Sequence, residues 1–382
     1  MKMMNKKIAA AAMTVFLTGS ILHADINTGL DIRGRAFSSD NPSGGDGKCS
    51  YFEQRTRFYF EGLMQKDVTG KISLQNNGIW GRDSEEELFL DRAYISAGHI
   101  FGLPLGASIG RQGCKLGDGL LLNDEKTGLS GIKLNASLPW GFTGEGAAFK
   151  LIEASSASFA GSEADRDIYF VSLSRNAFGG NASLTYFSDF NKTLSSSTKL
   201  SLLDLRYESP ETKEIQWLFE YAQSAGSDVK TSALLARVTA LGNIYKFGKG
   251  RAFVLFANGE DNFTSGATFV NEEKNFGEYY MKNRENGRSN TLNNLRIIGT
   301  GFKSTPFAKP VNFLFNYFSY NLVAGNAAGL KELGKEMDMG LEYAPTQNLG
   351  FRLIYSSFSQ GEALSDTGGK IKQFLFETNL NF

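Results

Sequence analysis

The feature that most limits what this chain can fold into is a strict two-residue alternation in its last segment, Ile371 to Phe382. Phe374, Phe376, Thr378, Leu380 and Phe382 fall on one face of an extended strand, and Gln373, Glu377, Asn379 and Asn381 on the other. A strand half-buried on a soluble core alternates in the same way, so the apolar face can meet lipid or protein. Beyond the N-terminal region no apolar run approaches the ~18 to 20 residues that a membrane helix requires. If the chain crosses a membrane, it crosses as strands, and strands in lipid must close into a barrel to pair every backbone group.

Residues 1–24 carry Lys2, Lys6 and Lys7, an apolar run from Ile8 to Leu22 and then small residues, the plan of a secretory signal peptide. Its removal takes three lysines and no acid from a chain of 40 basic and 40 acidic residues, leaving 37 against 40. A nearly neutral chain argues against nucleic acid, whose binding calls for a clustered basic surplus. The 31 Phe and 14 Tyr, with 43 Gly and only 7 Pro, suit strands and interfacial girdles. Only His23, in the leader, and His99 are histidines. Triads and most zinc sites have little to draw on, and no catalytic group, cofactor or metal is expected. Cys49 and Cys114 are the two cysteines, on loops at the same end, and a disulfide between them needs those loops to lean together.

From Asp25 onward, short alternating segments are separated in turn by long polar loops and short turns, which reads as an all-β, up-and-down antiparallel barrel over 25–382. Eighteen segments can be found, with sixteen as the alternative count. The first runs about Asp25 to Phe37 and the second about Tyr51 to Met64, across a loop centred near Gly44-Gly45. The longest loop, about Gly259 to Asn294, is expected either to fold into the pore mouth or to remain on the surface.

Two stretches carry a resemblance. An aromatic C-terminus preceded by alternating apolar residues resembles the signal that bacterial outer-membrane proteins present to the barrel assembly machinery. Leu90-Asp91-Arg92-Ala93-Tyr94-Ile95, Phe101-Gly102-Leu103-Pro104-Leu105, Ile109-Gly110-Arg111-Gln112, Gly117-Asp118-Gly119 and Ser130-Gly131-Ile132-Lys133-Leu134 together resemble the alginate-export family of outer-membrane barrels. The resemblance implies an eighteen-stranded, monomeric barrel with a narrow, Arg-lined pore that passes an anionic polysaccharide outward. A trimer stays open as an alternative. This chain is shorter than the alginate exporter itself, so the solute is either an anionic saccharide or a small anion.

The expected pore lining begins with Arg33 and Arg35 on the first segment and Arg55 and Arg57 on the second. Folding symmetrically about Gly44-Gly45 sets Arg35 opposite Arg55 and Arg33 opposite Arg57. Arg92, Lys133, Arg206 and Arg352 extend the basic lining, while Asp204, Glu208, Glu220, Asp338, Glu342 and Glu377 add acids. Glu342 and Glu377 are expected to adjoin the first strand across the barrel closure. Arg111 shares parity with Ala107 and Ile109, so it points to lipid unless a bulge at Gly110 turns it inward or it sits near the extracellular rim, where that placement costs little; the family resemblance implies a pore-facing Arg111. Rings of Arg select anions in pores, but the same charges also read as a solvated, salt-bridged wall. The functions consistent with this pattern are an outer-membrane channel for hydrophilic, anionic solutes, a structural or adhesive surface barrel, and, at greater distance, an outer-membrane enzyme.

Overall fold

The computed structural model describes residues 25–40, 48–65, 67–82, 87–124, 128–152, 165–192, 197–210, 214–244, 248–261, 263, 276–281, 292–306, 310–364 and 369–382. The expected leader lies outside the described residues, as does most of the 259–294 loop. The strands are β1 Asp25–Asp40, β2 Lys48–Gln65, β3 Val68–Ile79, β4 Glu87–Ala97, β5 Leu105–Gln112, β6 Lys115–Leu116, β7 Leu122–Asn123, β8 Leu129–Ser137, β9 Phe142–Ile152 and β10 Arg166–Ala177. They continue as β11 Gly180–Lys192, β12 Ser197–Glu208, β13 Ile215–Ser224, β14 Ser232–Ile244, β15 Gly248–Gly259, β16 Leu295–Ser304, β17 Val311–Asn321, β18 Glu332–Tyr343, β19 Leu349–Gln360 and β20 Lys370–Asn381. Eighteen of them form one antiparallel sheet, and the sheet closes where β20 pairs with β1 from Asp31↔Asn381 to Asp40↔Lys372. Closure leaves no strand edge to be satisfied by lipid. β6 and β7 form a separate small hairpin inside the connection from β5 to β8.

Alternation decides which way each side chain points. Phe52, Phe58 and Phe60 on β2, Tyr169, Val171 and Leu173 on β10, and Phe374 and Phe376 on β20 are exposed on the outer wall, forming the apolar belt that faces lipid. Arg55 and Arg57 take the opposite parity and face the lumen. Short turns close the end that is periplasmic by the usual rule for such barrels, and the longer connections lie at the extracellular end.

The lumen departs from a uniformly polar interior. Phe149, Ile168, Phe170, Phe187, Leu202, Leu235, Leu255, Ile297, Phe318, Tyr320 and Phe358 have inward parity and are almost fully buried. They form one cluster with Leu116, Leu120, Leu121 and Leu122 of the β6–β7 hairpin and with Phe263, Phe276, Tyr280 and Met281 of the long loop. Two connections therefore fold into the barrel and turn part of its wall into a core, each buried Leu or Phe contributing roughly 1.5–3 kcal/mol. Where a loop covers the wall, apolar residues replace the polar ones that water would require.

The first hairpin also pairs differently from the symmetric expectation. Its register sets Arg33 opposite Arg55, Arg35 opposite Glu53 and Asp31 opposite Arg57. The slip of two residues keeps every side chain on its face. It exchanges one of two Arg–Arg pairings for opposite-charge pairings, which lowers the repulsion that directly opposed like charges impose.

Cys49 is exposed on β2 and Cys114 is buried beside the inward hairpin, and both are thiols.

Candidate pore and its constriction

Five of the expected lining residues converge on the wall made by β1 to β4. Arg35 contacts Glu377 at 2.6 Å across the closure seam and Glu53 at 3.2 Å, while Arg55 contacts Asp31 at 3.1 Å. Arg57 lies 3.1 Å from Asp91, and Arg92 lies 3.7 Å from the same oxygen. Arg33 stands opposite Asn379 of β20 as well as Arg55.

Asp91 is the member of this sector that alternation alone overlooks. Ser73 faces Arg92 while Leu74 faces Leu90, so Asp91 is the extra residue of a β-bulge. The bulge brings Asp91 and Arg92, neighbours in sequence, to the same side. Asp91 is 0% exposed and accepts a hydrogen bond from Ser73 Oγ at 3.2 Å. A signal existed: the outer-facing residues of β4 switch parity between Leu90 and Ile95, which requires one inserted residue.

Arg111 keeps the outer-face parity of Ile109 and is partly buried at the end of β5, where its Nε donates to the Asp91 carbonyl at 3.1 Å. Gly110 before it has φ 125°. Lys133 lies apart from the basic sector on β8 and pairs with Glu145 at 3.5 Å.

Arg206, Arg352 and Glu342 belong to a different part of the lumen, where they meet the two inward loops. The Gly117-Asp118-Gly119 stretch is the turn of the β6–β7 hairpin. Glu220 on β13, 0% exposed, accepts the Asp118 backbone N–H at 2.8 Å. A Cβ at Gly117 would come within 2.0 Å of the Glu220 carboxylate, so only glycine allows this approach. Arg206 sits 3.9 Å from Glu220 and 2.5 Å from Glu208, and Arg237 lies 3.5 Å from the Asp118 carboxylate. Burial pushes the Asp118 carboxyl above its ordinary range despite Arg237 and Lys115.

The segment 276–281 is held in the same manner on another part of the wall, five strands further round. One carboxylate, that of Glu336 on β18, accepts three successive backbone N–H groups, from Glu278 at 2.7 Å, Tyr279 at 2.7 Å and Tyr280 at 2.9 Å. The Tyr320 hydroxyl donates to the Phe276 carbonyl at 2.6 Å and lies 2.9 Å from Glu336. Glu278 pairs with Arg352, whose Nε lies 3.3 Å from Glu342. Glu342 also pairs with Lys303. It therefore stands on β18 and does not adjoin β1; of the two expected seam acids only Glu377 does, with Arg352 as its β19 partner on the other side. The carboxylates of Glu220 and Glu336 were not legible as loop anchors, because their partners are backbone groups that carry no sequence signature.

Between the two loops a cavity of about 350 Å³ remains, lined by Asp118, Arg237, Arg251, Glu278, Lys303, Glu342 and Arg352 among others. The acids Asp204, Glu220, Glu336 and Asp338 are buried in the wall or under the loops, whereas the arginines of β1 to β4 are partly open to the lumen.

The family model described as Alginate export matches residues 29–377. Solved structures with the same fold include OccAB2 of Acinetobacter baumannii, with a TM-score of 0.65 and 13% identity over 94% of this chain and 98% of that one. OpdQ of Pseudomonas aeruginosa gives 0.62 and 15% over 94% and 98%, and OccAB4 of Acinetobacter baumannii 0.61 and 12% over 94% and 98%. At such identities the likeness is one of fold. No curated protein matches by sequence. With a closed eighteen-stranded barrel, a lipid-facing belt and a family match over nearly its whole length, the chain belongs to the alginate export family and resides in the bacterial outer membrane.

Proposed function

We propose that this barrel is a channel for hydrophilic, anionic solutes, small enough to pass the space that the two inward loops leave. The observation that carries the reading is the order of charge in the β1 to β4 sector. Arg33, Arg35, Arg55, Arg57 and Arg92 present guanidinium groups to the lumen, while Asp91 and Glu377 are recessed behind them. Asp31 and Glu53 remain partly open, so the sector is not purely basic. An ion responds to the field at the constriction, which low-dielectric walls focus, and charges farther than a Debye length of ~8 Å are screened. Guanidinium stays protonated at any physiological pH, so the basic contribution to this field persists across that range.

The inward hairpin and the 276–281 segment favour a small solute over a polymer, since each occupies lumen that an extended polysaccharide would need. Block of single-channel current by a monomeric uronate, compared with its neutral sugar, tests the reading. Block by the uronate alone, weakened in an Arg33→Gln, Arg55→Gln variant, is expected. Equal effects of the two sugars would count against an anionic solute, and absence of conductance would favour the structural barrel.

A further inference from the structure

The cavity between the two inward loops rests on a stretch of wall that is built in rows. Thr239 pairs with Phe253, Phe253 with Gly301 and Gly301 with Asn316, one row of inward positions across β14 to β17. Two residues nearer the periplasmic turns, roughly 7 Å along the strands, the next inward row sets Arg251 opposite Lys303, with Leu314 beside it. Asp118 of the hairpin and Glu278 of the 276–281 segment supply lining from the loops.

The acids that line this cavity already have cations. Asp118 lies 3.5 Å from Arg237, Glu208 pairs with Arg206, Glu278 with Arg352, and Glu342 with both Lys303 and Arg352. Arg251 differs: it is exposed and has no hydrogen-bond or ion-pair partner among the described residues. It also stands directly opposite Lys303, an arrangement that like charges resist and that an anion between them relieves. The row above is neutral. Thr239 and Asn316 make no side-chain hydrogen bond among the described residues, so both are available to a solute. Between Phe253 and Asn316, a Cβ at Gly301 would come within 2.2 Å of Asn316 Oδ1 and 2.7 Å of Phe253 Cε1. The glycine lets the ring and the amide close over the backbone, which leaves an apolar ring with a polar group on either side.

We propose that this cavity binds one polyhydroxylated monocarboxylate, a sugar acid. Its carboxylate meets Arg251 and Lys303, its hydroxyls meet Thr239 and Asn316, and an apolar face of its ring lies on Phe253. The inference rests on the reading of the barrel as a channel for anionic solutes, and it gives that channel a binding station apart from the arginines of β1 to β4. A guanidinium presents two parallel N–H groups that suit a planar carboxylate. Because the lining acids are paired, an ammonium on the solute finds no free partner, which sets amino acids and amino sugars aside. A neutral sugar leaves Arg251 unanswered. At about 350 Å³ the cavity lies at the small end of ligand pockets, with room for one ring and not for a chain.

The test is calorimetric titration of the barrel, folded in detergent micelles, with galacturonate, galactose and glucosamine. Galacturonate should bind more tightly than either of the others. Arg251→Gln should weaken galacturonate by roughly tenfold or more, since a hydrogen bond to a charged group is lost, and should leave galactose unchanged. Phe253→Leu should weaken both sugars. Arg296→Gln removes the same charge from the outer wall and should bind as the parent does, with heat-modifiable migration confirming that each variant folds. No galacturonate binding by the parent, equal binding by the parent and Arg251→Gln, or equal weakening in Arg296→Gln would overturn the site. The channel reading fails separately: Arg251-dependent binding in a barrel whose current galacturonate does not block would uphold the site and remove the anion channel.

Discussion

Replacing Glu336 by leucine should release the 276–281 segment from the lumen and raise the conductance of the pore. The carboxylate is the acceptor for three consecutive backbone N–H groups at 2.7, 2.7 and 2.9 Å. A hydrogen bond to a charged group contributes about 1.5–3 kcal/mol net. At the lower figure, three of them amount to ~4.5 kcal/mol, roughly a thousandfold change in the docking equilibrium. Leucine also leaves the N–H groups with no acceptor unless the segment moves to water, so the loss acts on the docked state. Gly277 shows how close the approach is: a Cβ there would lie 2.3 Å from Tyr320 Oη and 2.9 Å from both Glu336 oxygens. Glu336→Gln keeps one acceptor oxygen and puts an amide near the remaining N–H, so its effect should fall between parent and leucine. The assay is single-channel recording in planar bilayers, with heat-modifiable migration as the check on folding. Leucine and parent channels of equal conductance and equal current noise would refute the argument that this contact sets the constriction.

Three other outcomes are expected. Asp91→Asn removes the buried charge facing Arg57 and Arg92, and it should lower the unfolding temperature of the barrel, since breaking a buried pair costs about 3–5 kcal/mol, while moving the reversal potential further toward anions. Asp118 has a carboxyl raised by burial, so on acidification it takes up a proton before the exposed carboxylates do, which relieves a cost of the folded state and frees Arg237 to the lumen. Anion preference should therefore rise as pH falls through the range just above that of ordinary carboxylates, a step that Asp118→Asn abolishes. A maleimide should label Cys49 rapidly and Cys114 only after unfolding, with no change in migration on reduction.

The barrel was legible because lipid enforces one rule on every strand. Phe374 and Phe376 must point out and Glu377 must point in, and that parity is written in the residues. The same rule placed Arg33, Arg35, Arg55, Arg57 and Arg92 on the lumen side. It could not supply the register of the first hairpin, since a two-residue slip preserves parity, and what favours Arg35 opposite Glu53 is charge pairing between side chains. Nor could it foresee that Phe170, Phe318 and Phe358 face inward. Those residues pack against Leu121, Tyr280 and their neighbours, which arrive from connections far along the chain. Both faces of their segments carry apolar residues, and that double apolarity was the available sign of a covered lumen. Glu342 was misplaced for a simpler reason: β19 and β20 both stand between it and β1.

The central claim, an anion-preferring pore set by the arginines of β1 to β4, is tested most directly by the reversal potential of the unmodified protein in a bilayer that separates two concentrations of potassium chloride. The account predicts a potential displaced toward the chloride equilibrium value, with the displacement reduced in the Arg33→Gln, Arg55→Gln variant. A potential displaced toward the potassium value, or one that the variant leaves unchanged, would contradict it.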